Sequence, residues 1–281
     1  MTSLAILADA DDAVEGANYL VGLLAEIWRR EGVEVAIVRG ADSFEPADGG
    51  ILHVDRTRVP GAFLRQLARY PVRINAATAD IAKRAYSERL VRTPFGHRGP
   101  VIVKSDRNHG GVPERMKARG LAALLARVGD LLPWWASGRF AGNDYPIFAS
   151  PWAVPPAAWV NPRLVVEKLM CERAGDLYVV RRWIFFGTRE VNYAMAGMAP
   201  NVSRANWVGE RAHSAVPEQL RAWRRRLGFD FGKFDYALVD GETVLYDANR
   251  TPNLRLFREA WFAPHLADLA QGLWDFLPRR S

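Results

Sequence analysis

The sequence predicts a mixed α/β protein: a small N-terminal α/β domain ahead of a larger, more β-rich remainder. Three observations carry that expectation. Residues 1–75 alternate short apolar runs with helical patterns, as in a parallel sheet joined by helices. Residues 177–195 and 234–249 are rich in β-branched and aromatic residues and are punctuated by turn signals. The chain has 281 residues, 49% apolar and 25% charged, enough to bury a large core or to build two or three lobes.

The elements follow in order. Ser3–Ala8 is a short buried strand. Asn18–Arg30 is a helix, because Leu20, Leu23, Leu24, Ile27 and Trp28 recur at helical spacing and Gly32 follows as a stop. Glu34–Val38 and Gly50–Val54 are further strands, and Ala62–Tyr70 is a helix. Residues 76–92 read as helical through Ala79, Ile81, Ala82, Ala85 and Leu90, with Lys83 and Arg84 among them. After Pro94, the strand Pro100–Lys104 runs into a polar, Gly-rich loop, Ser105–Gly111. A helix covers about 114–129. Residues 133–162 are too rich in Trp for a linker and read as a packed irregular segment. Val165–Met170 is a strand ending, and Leu177–Phe186 is a strand with Glu190–Met195 as its partner. Glu218–Leu227 is a helix with a basic face, and residues 259–277 form a last amphipathic helix.

The net charge of +7, mostly from Arg, fits anionic ligands. The single Cys171 excludes an internal disulfide. The apolar run Leu4–Ala8 is too short for a signal peptide, and no apolar run approaches the ~20 residues that span a bilayer. The expected location is the cytoplasm.

Chemistry concentrates in Phe234–Asn253, two strands around Asp240-Gly241-Glu242. Asp235, Asp247 and Asn249 share odd numbering, so an odd-length loop would turn all three to one face. A two-residue Asp-Gly loop would set Asp235 opposite Tyr246 and separate the carboxylates. Two carboxylates and an amide oxygen on one face suit a hard cation such as Mg²⁺. The competing reading is the solvated outer face of an edge hairpin.

Lys104 ends a strand beside the glycine loop, well placed for phosphate oxygens, or else is a surface Lys at a strand end. Gly228–Lys233 imitates a phosphate-binding loop but is one residue short and lacks the following Ser/Thr. No dinucleotide glycine fingerprint and no serine nucleophile elbow occurs. Arg181 and Arg182 are neighbours on a strand, so one of them points inward, toward an anion or a structural carboxylate. His109 is read as a loop residue and Cys171 as a small apolar one.

Taken in order, Lys83, Lys104 with its glycine loop, Val165–Met170, Gly175-Asp176, Arg182, Asp235 and Asp247-Ala248-Asn249-Arg250-Thr251-Pro252 resemble the ATP-grasp superfamily, of the glutathione-synthetase and ribosomal-modification-ligase kind. The likeness covers about residues 75–258. Asp247 stands where most members carry Glu. The resemblance implies an ATP-grasp fold: a pre-ATP-grasp domain at 1–75, a first lobe at 76–165 and a second lobe at 166–281 clamping ATP between sheets. It implies that Lys83 and Lys104 meet the phosphates. Glu167, Lys168 and Met170 would belong to the hinge that holds adenine, and Asp176 would bind the ribose. Arg182 and Arg250 would serve catalysis, and Asp235, Asp247 and Asn249 would hold Mg²⁺. It also implies an ATP- and Mg-dependent ligase that activates a small-molecule or peptide carboxylate as an acyl phosphate for attack by an amine or thiol. The stretch Val202–Asn206 is a candidate for the acceptor side. An ATP-grasp-type kinase is the alternative within enzymes. A basic nucleic-acid-binding module, resting on the +7 charge and Arg221–Arg226, is the alternative outside them.

Overall fold

The computed structural model describes all residues except 16–18, 141–143, 203–205, 254–259 and 280–281. Its first sheet is parallel, in the order β2 (Glu34–Arg39), β1 (Ser3–Ala8), β3 (Gly49–Leu52), β4 (Val72–Ile74). Strand β1 is apolar from Leu4 onward because both its faces are covered. Leu4, Ile6 and Ala8 meet Leu20, Leu24 and Trp28 of α1 (Leu20–Arg30), whereas Ala5 and Leu7 meet Phe63 and Leu67 of α2 (Gly61–Leu67).

The helix expected over 76–92 shrinks to one turn, α3 (Lys83–Tyr86). Flanking backbone is used elsewhere. The Ile81 N–H donates to the Thr57 carbonyl, the Val91 N–H donates to that of Val166, and Leu90 bridges to Glu167. Long-range pairing outweighs a weak local helical preference here.

The second sheet is antiparallel, in the order β6 (Ile147–Phe148), β5 (Val101–Ser105), β7 (Leu164–Lys168). Strand β7 straddles the lobe boundary expected at 165/166. The helix expected over 114–129 is two pieces, α4 (Val112–Met116) and α5 (Gly120–Asp130). The first piece is tied to the segment after β3 by Glu114, whose carboxylate accepts from the Thr57 N–H at 2.7 Å. The Trp-rich stretch holds the short helices α6 (Trp134–Ser137) and α7 (Pro156–Val160), with Trp134 and Trp159 against the core of this sheet and Trp152 exposed.

The third sheet is antiparallel, in the order β11 (Trp207–His213), β10 (Arg189–Gly197), β9 (Leu177–Phe186), β12 (Phe231–Val239), β13 (Glu242–Asn249), with β8 (Glu172–Ala174) on β9. Helix α8 (Glu218–Leu227) covers one face, where Leu220 and Trp223 meet Trp183, Phe185, Phe234 and Tyr236. The last helix keeps an α-helical centre, α9 (Ala263–Gln271), between two 3₁₀ turns. It packs on the other face and on α1, where the Trp28 indole donates to the Ala270 carbonyl at 2.8 Å. Among the described residues, no helix is long and apolar enough to cross a membrane.

Candidate active site

The site is built on the β12–β13 hairpin. Val239 pairs with Glu242, so the loop is the two residues Asp240 and Gly241, both with positive φ (52° and 83°). The odd-length loop that the parity argument needs is therefore absent. A β-bulge does the same work: Tyr236 pairs with Leu245, but Asp235 pairs with Asp247, leaving Tyr246 as the extra residue. The two carboxylates face each other across the strands for a reason that numbering alone did not contain. Arg182 lies opposite Asp235 on β9, which extends the row to three strands.

This row lines a cavity of about 210 Å³ between the second and third sheets. Ile102 and Lys104 contribute from β5, and Arg182, Lys233, Asp235 and Asp247 from the third sheet. Leu169, Met170 and Cys171 line it from the segment after β7, and Lys83, Arg89, His109 and Tyr145 complete the polar wall.

Charges inside it are paired. The Lys83 ammonium donates to Asp247 at 2.8 Å, and Lys233 donates to Asp235 at 2.8 Å. Arg182 Nε lies 3.5 Å from Asp235 Oδ1, too far for a hydrogen bond, and both atoms are buried without a hydrogen-bond partner. Burial would raise the Asp247 pKa, but the Lys83 ammonium, with Lys233 behind it, holds it down to about 2. Burial also works against charged Lys83, but its neighbours, Asp247 foremost, together more than offset it and raise its pKa, so that Lys83 stays protonated. Lys104 falls the other way. Burial brings it down to about 8, because the Glu167 carboxylate at 3.4 Å is shared with Arg89 at 2.7 Å. Glu167 is buried, yet Arg89 and Lys104 together keep it ionised.

The structure separates the other expected residues. Arg181 is bound to Glu172 by three contacts of 2.6–3.1 Å and points away from the cavity, leaving Arg182 as the inward arginine. Met170 lines the cavity and its carbonyl accepts from the Tyr246 hydroxyl, whereas the Lys168 N–H is taken by the Arg89 carbonyl. Asp176 sits on the exposed β8–β9 turn, outside the cavity lining. Asn249 is buried, and its side-chain oxygen accepts from the Thr251 N–H at 2.8 Å while its amide nitrogen lies 3.1 Å from His109 Nε2. Arg250, expected to serve catalysis, is fully buried elsewhere. Its guanidinium donates to the carbonyls of Val54, Arg56 and Thr78, because the end of β13 is where the segments after β3 and β4 pack. Of the Val202–Asn206 stretch, Val202 lines the cavity and 203–205 lie outside the described residues.

The donor set fits a hard cation in part. Two carboxylates share one sheet face, and magnesium takes one or two carboxylates plus substrate phosphates. The third expected ligand gives its oxygen to Thr251. Among the described residues, no group of three or more His, Cys, Asp or Glu side chains is poised for a metal.

Sequence reasoning missed Arg89, Lys233 and Tyr246. Lys233 was legible, because it stands two residues before Asp235 on one strand and therefore shares its face. Arg89 sits in a segment misread as helix, and Tyr246 reaches the cavity only through the bulge.

No family model matches the sequence, and no curated protein does. Solved structures are similar over nearly the whole chain. A RimK domain ATP-grasp protein from Sphaerobacter thermophilus has 16% identity and a TM-score of 0.51, with 98% of this chain and 99% of that one covered. A RiPP-associated ATP-grasp ligase from Chryseobacterium gregarium, in complex with ADP and a leader and core peptide, has 10% identity and a TM-score of 0.55, covering 100% and 99%. The D-cycloserine synthetase DcsG has 13% identity and a TM-score of 0.52, covering 97% and 99%. The chain has the ATP-grasp fold.

Proposed function

We propose that the chain is an ATP- and Mg-dependent ligase that activates a carboxylate as an acyl phosphate for attack by an amine or thiol. One observation carries this reading: Lys83, Lys104, Arg182 and Lys233 converge with Asp235 and Asp247 on one cavity between two sheets. Phosphoryl transfer needs charge compensation and alignment more than a protein nucleophile, and these residues supply both.

In this reading Lys83 and Lys104 leave their carboxylates for the phosphate oxygens. The exchange keeps each ammonium paired, so the desolvation cost already met in the free protein is not met again. Asp235 and Asp247 would hold magnesium, which when bound offsets phosphate charge and links the nucleotide to the hairpin. Arg182, opposite Asp235, offsets charge on the transferred group. The backbone at Met170 holds the base, and Ile102 and Val180 supply apolar walls. Glu167, released by Lys104, keeps Arg89 oriented from behind. Asp176 and Arg250 have no place in the nucleotide site. The fold of the neighbours, one of them holding ADP, supports the nucleotide part.

Titration with a non-hydrolysable ATP analogue and Mg²⁺ tests it. Saturation at 100 times the Kd should stabilise the fold by about 2.7 kcal/mol, seen as a rise in Tm. No binding and no rise would end the proposal. Formation of a phosphate ester on a hydroxyl acceptor, in place of an amide or thioester, would reassign the chain as a kinase.

A further inference from the structure

A second cavity, of about 470 Å³, lies across the glycine loop from the first. His109 lines the first cavity, and Gly110 and Gly111 line the second. The second cavity is lined by Arg56, Arg107, Arg115, Lys117, Arg119, Arg139 and Arg163 and by one acid, Glu114. Part of this charge is spoken for. Arg56 pairs with Asp9, Lys117 with Asp12 at 2.5 Å and Arg119 with Asp11 at 2.8 Å. Among the described residues, no carboxylate pairs with Arg107 or Arg163. Burial and the like charges of Arg107 and Arg139 both disfavour the protonated form of Arg163. Such crowding is relieved by an anion.

The backbone makes room for these two arginines. Gly111 has φ +74°, and a Cβ there would sit 2.9 Å from Arg107 Cδ. Gly138 has φ +72°, and a Cβ there would sit 2.7 Å from Arg163 Cβ. Neither position admits a side chain without moving the arginine over it. Helix α8 shows the contrast: Arg221, Arg225 and Arg226 are paired with Glu190, Glu218 and Glu88.

We propose that this cavity binds a polyanionic part of the acceptor or carboxylate substrate, either clustered carboxylates or a phosphate, through Arg107 and Arg163 with Arg139 adding charge. The link to the substrate rests on the ligase reading, and the anion site rests on its own residues. Arginine forks recognise either group by paired, charge-assisted hydrogen bonds.

The test is calorimetry at fixed ionic strength with the first cavity filled by a Mg²⁺–ATP analogue. Inorganic phosphate and tricarballylate are the probes, and acetate is the monoanion reference. At least one probe should bind tenfold or more tightly than acetate, and which one does identifies the group. The double variant Arg107→Gln/Arg163→Gln should lose at least tenfold for that probe, with nucleotide binding retained. Arg225→Gln, on α8, should lose nothing. If neither probe outcompetes acetate, or if the double variant binds the probe as the wild type does, the inference fails. If the analogue does not bind but the double variant still loses the anion, the ligase reading falls and the anion site stands.

Discussion

Asp247 and Arg250 stand three residues apart at the end of one strand, and their charges meet opposite fates. The Asp247 carboxylate opens on a cavity and is paired with a single ammonium that a ligand could replace. Arg250 is shut away, spending its guanidinium on three carbonyls in two other segments, and the next residue, Thr251, donates to Asp55 at 2.9 Å. Its burial is deep enough to bring the guanidinium pKa down to about 10. A polar motif read as one functional unit therefore divides into a part that faces the cavity and a part that fastens the end of β13 to residues 54–78. The difference lies in exchangeability: an ammonium can be traded for a metal or phosphate, whereas buried backbone carbonyls cannot lose a charged donor without cost.

The sharpest break would come from Arg250→Met. It should cost about 3–5 kcal/mol, because buried acceptors lose a charged donor, read as a lower denaturant midpoint. A variant as stable as the wild type but inactive would move Arg250 into the chemistry and erase the contrast. Asp247→Asn should lower kcat/KM about 10²–10³-fold, in line with removing one group aimed at transition-state charge, while costing less stability than Arg250→Met. Equal losses of stability in the two variants would show that both ends of the motif are structural.

Acid titration sharpens the comparison further. The Asp247 pKa is lowered from 3.8 to about 2, so its pair with Lys83 adds stability above pH 4 that disappears as pH falls from about 4 to about 2. The effect is about 2 kcal/mol, and the Asp247→Asn variant should lack that limb in urea melts between pH 2 and 5. Lys104 works in the alkaline range. Its pKa, lowered from 10.5 to about 8, makes the folded protein gain stability as pH rises from about 8 to 10.5. A phosphate beside it restores the proton, so nucleotide binding near pH 8–9 should take up protons and weaken above pH 8. Calorimetry in buffers of different protonation heat would show it, and zero uptake would place the phosphates away from Lys104. The smallest effect is expected for Arg225→Ala on α8, within about 0.5 kcal/mol, since exposed pairs contribute little.

What could be read ahead of the coordinates follows the range of the interactions. Ser3–Ala8, Leu177–Phe186 and Glu218–Leu227 were delimited to the residue, because apolar periodicity and turn signals act within a few positions. The 76–92 segment failed because its backbone partners, Thr57 and Val166, are distant in the chain. The choice between Arg181 and Arg182 was open in the sequence, since alternation says that neighbours diverge without saying which faces the cavity. Glu172 on the adjoining strand settles it by claiming Arg181.

The residue types for handling phosphate and a hard cation, and the strands that carry them, were written in the chain's local pattern. Their convergence was not. A bulge at Tyr246 restores the facing of Asp235 and Asp247 that a two-residue loop would have broken, Arg250 turns inward to hold residues 54–78, and seven cations that include the distant Arg56, Arg139 and Arg163 gather behind the glycine loop. Each of these depends on which distant backbone and side-chain groups arrive alongside, and that is set by packing the sheets together and not by any short stretch of residues.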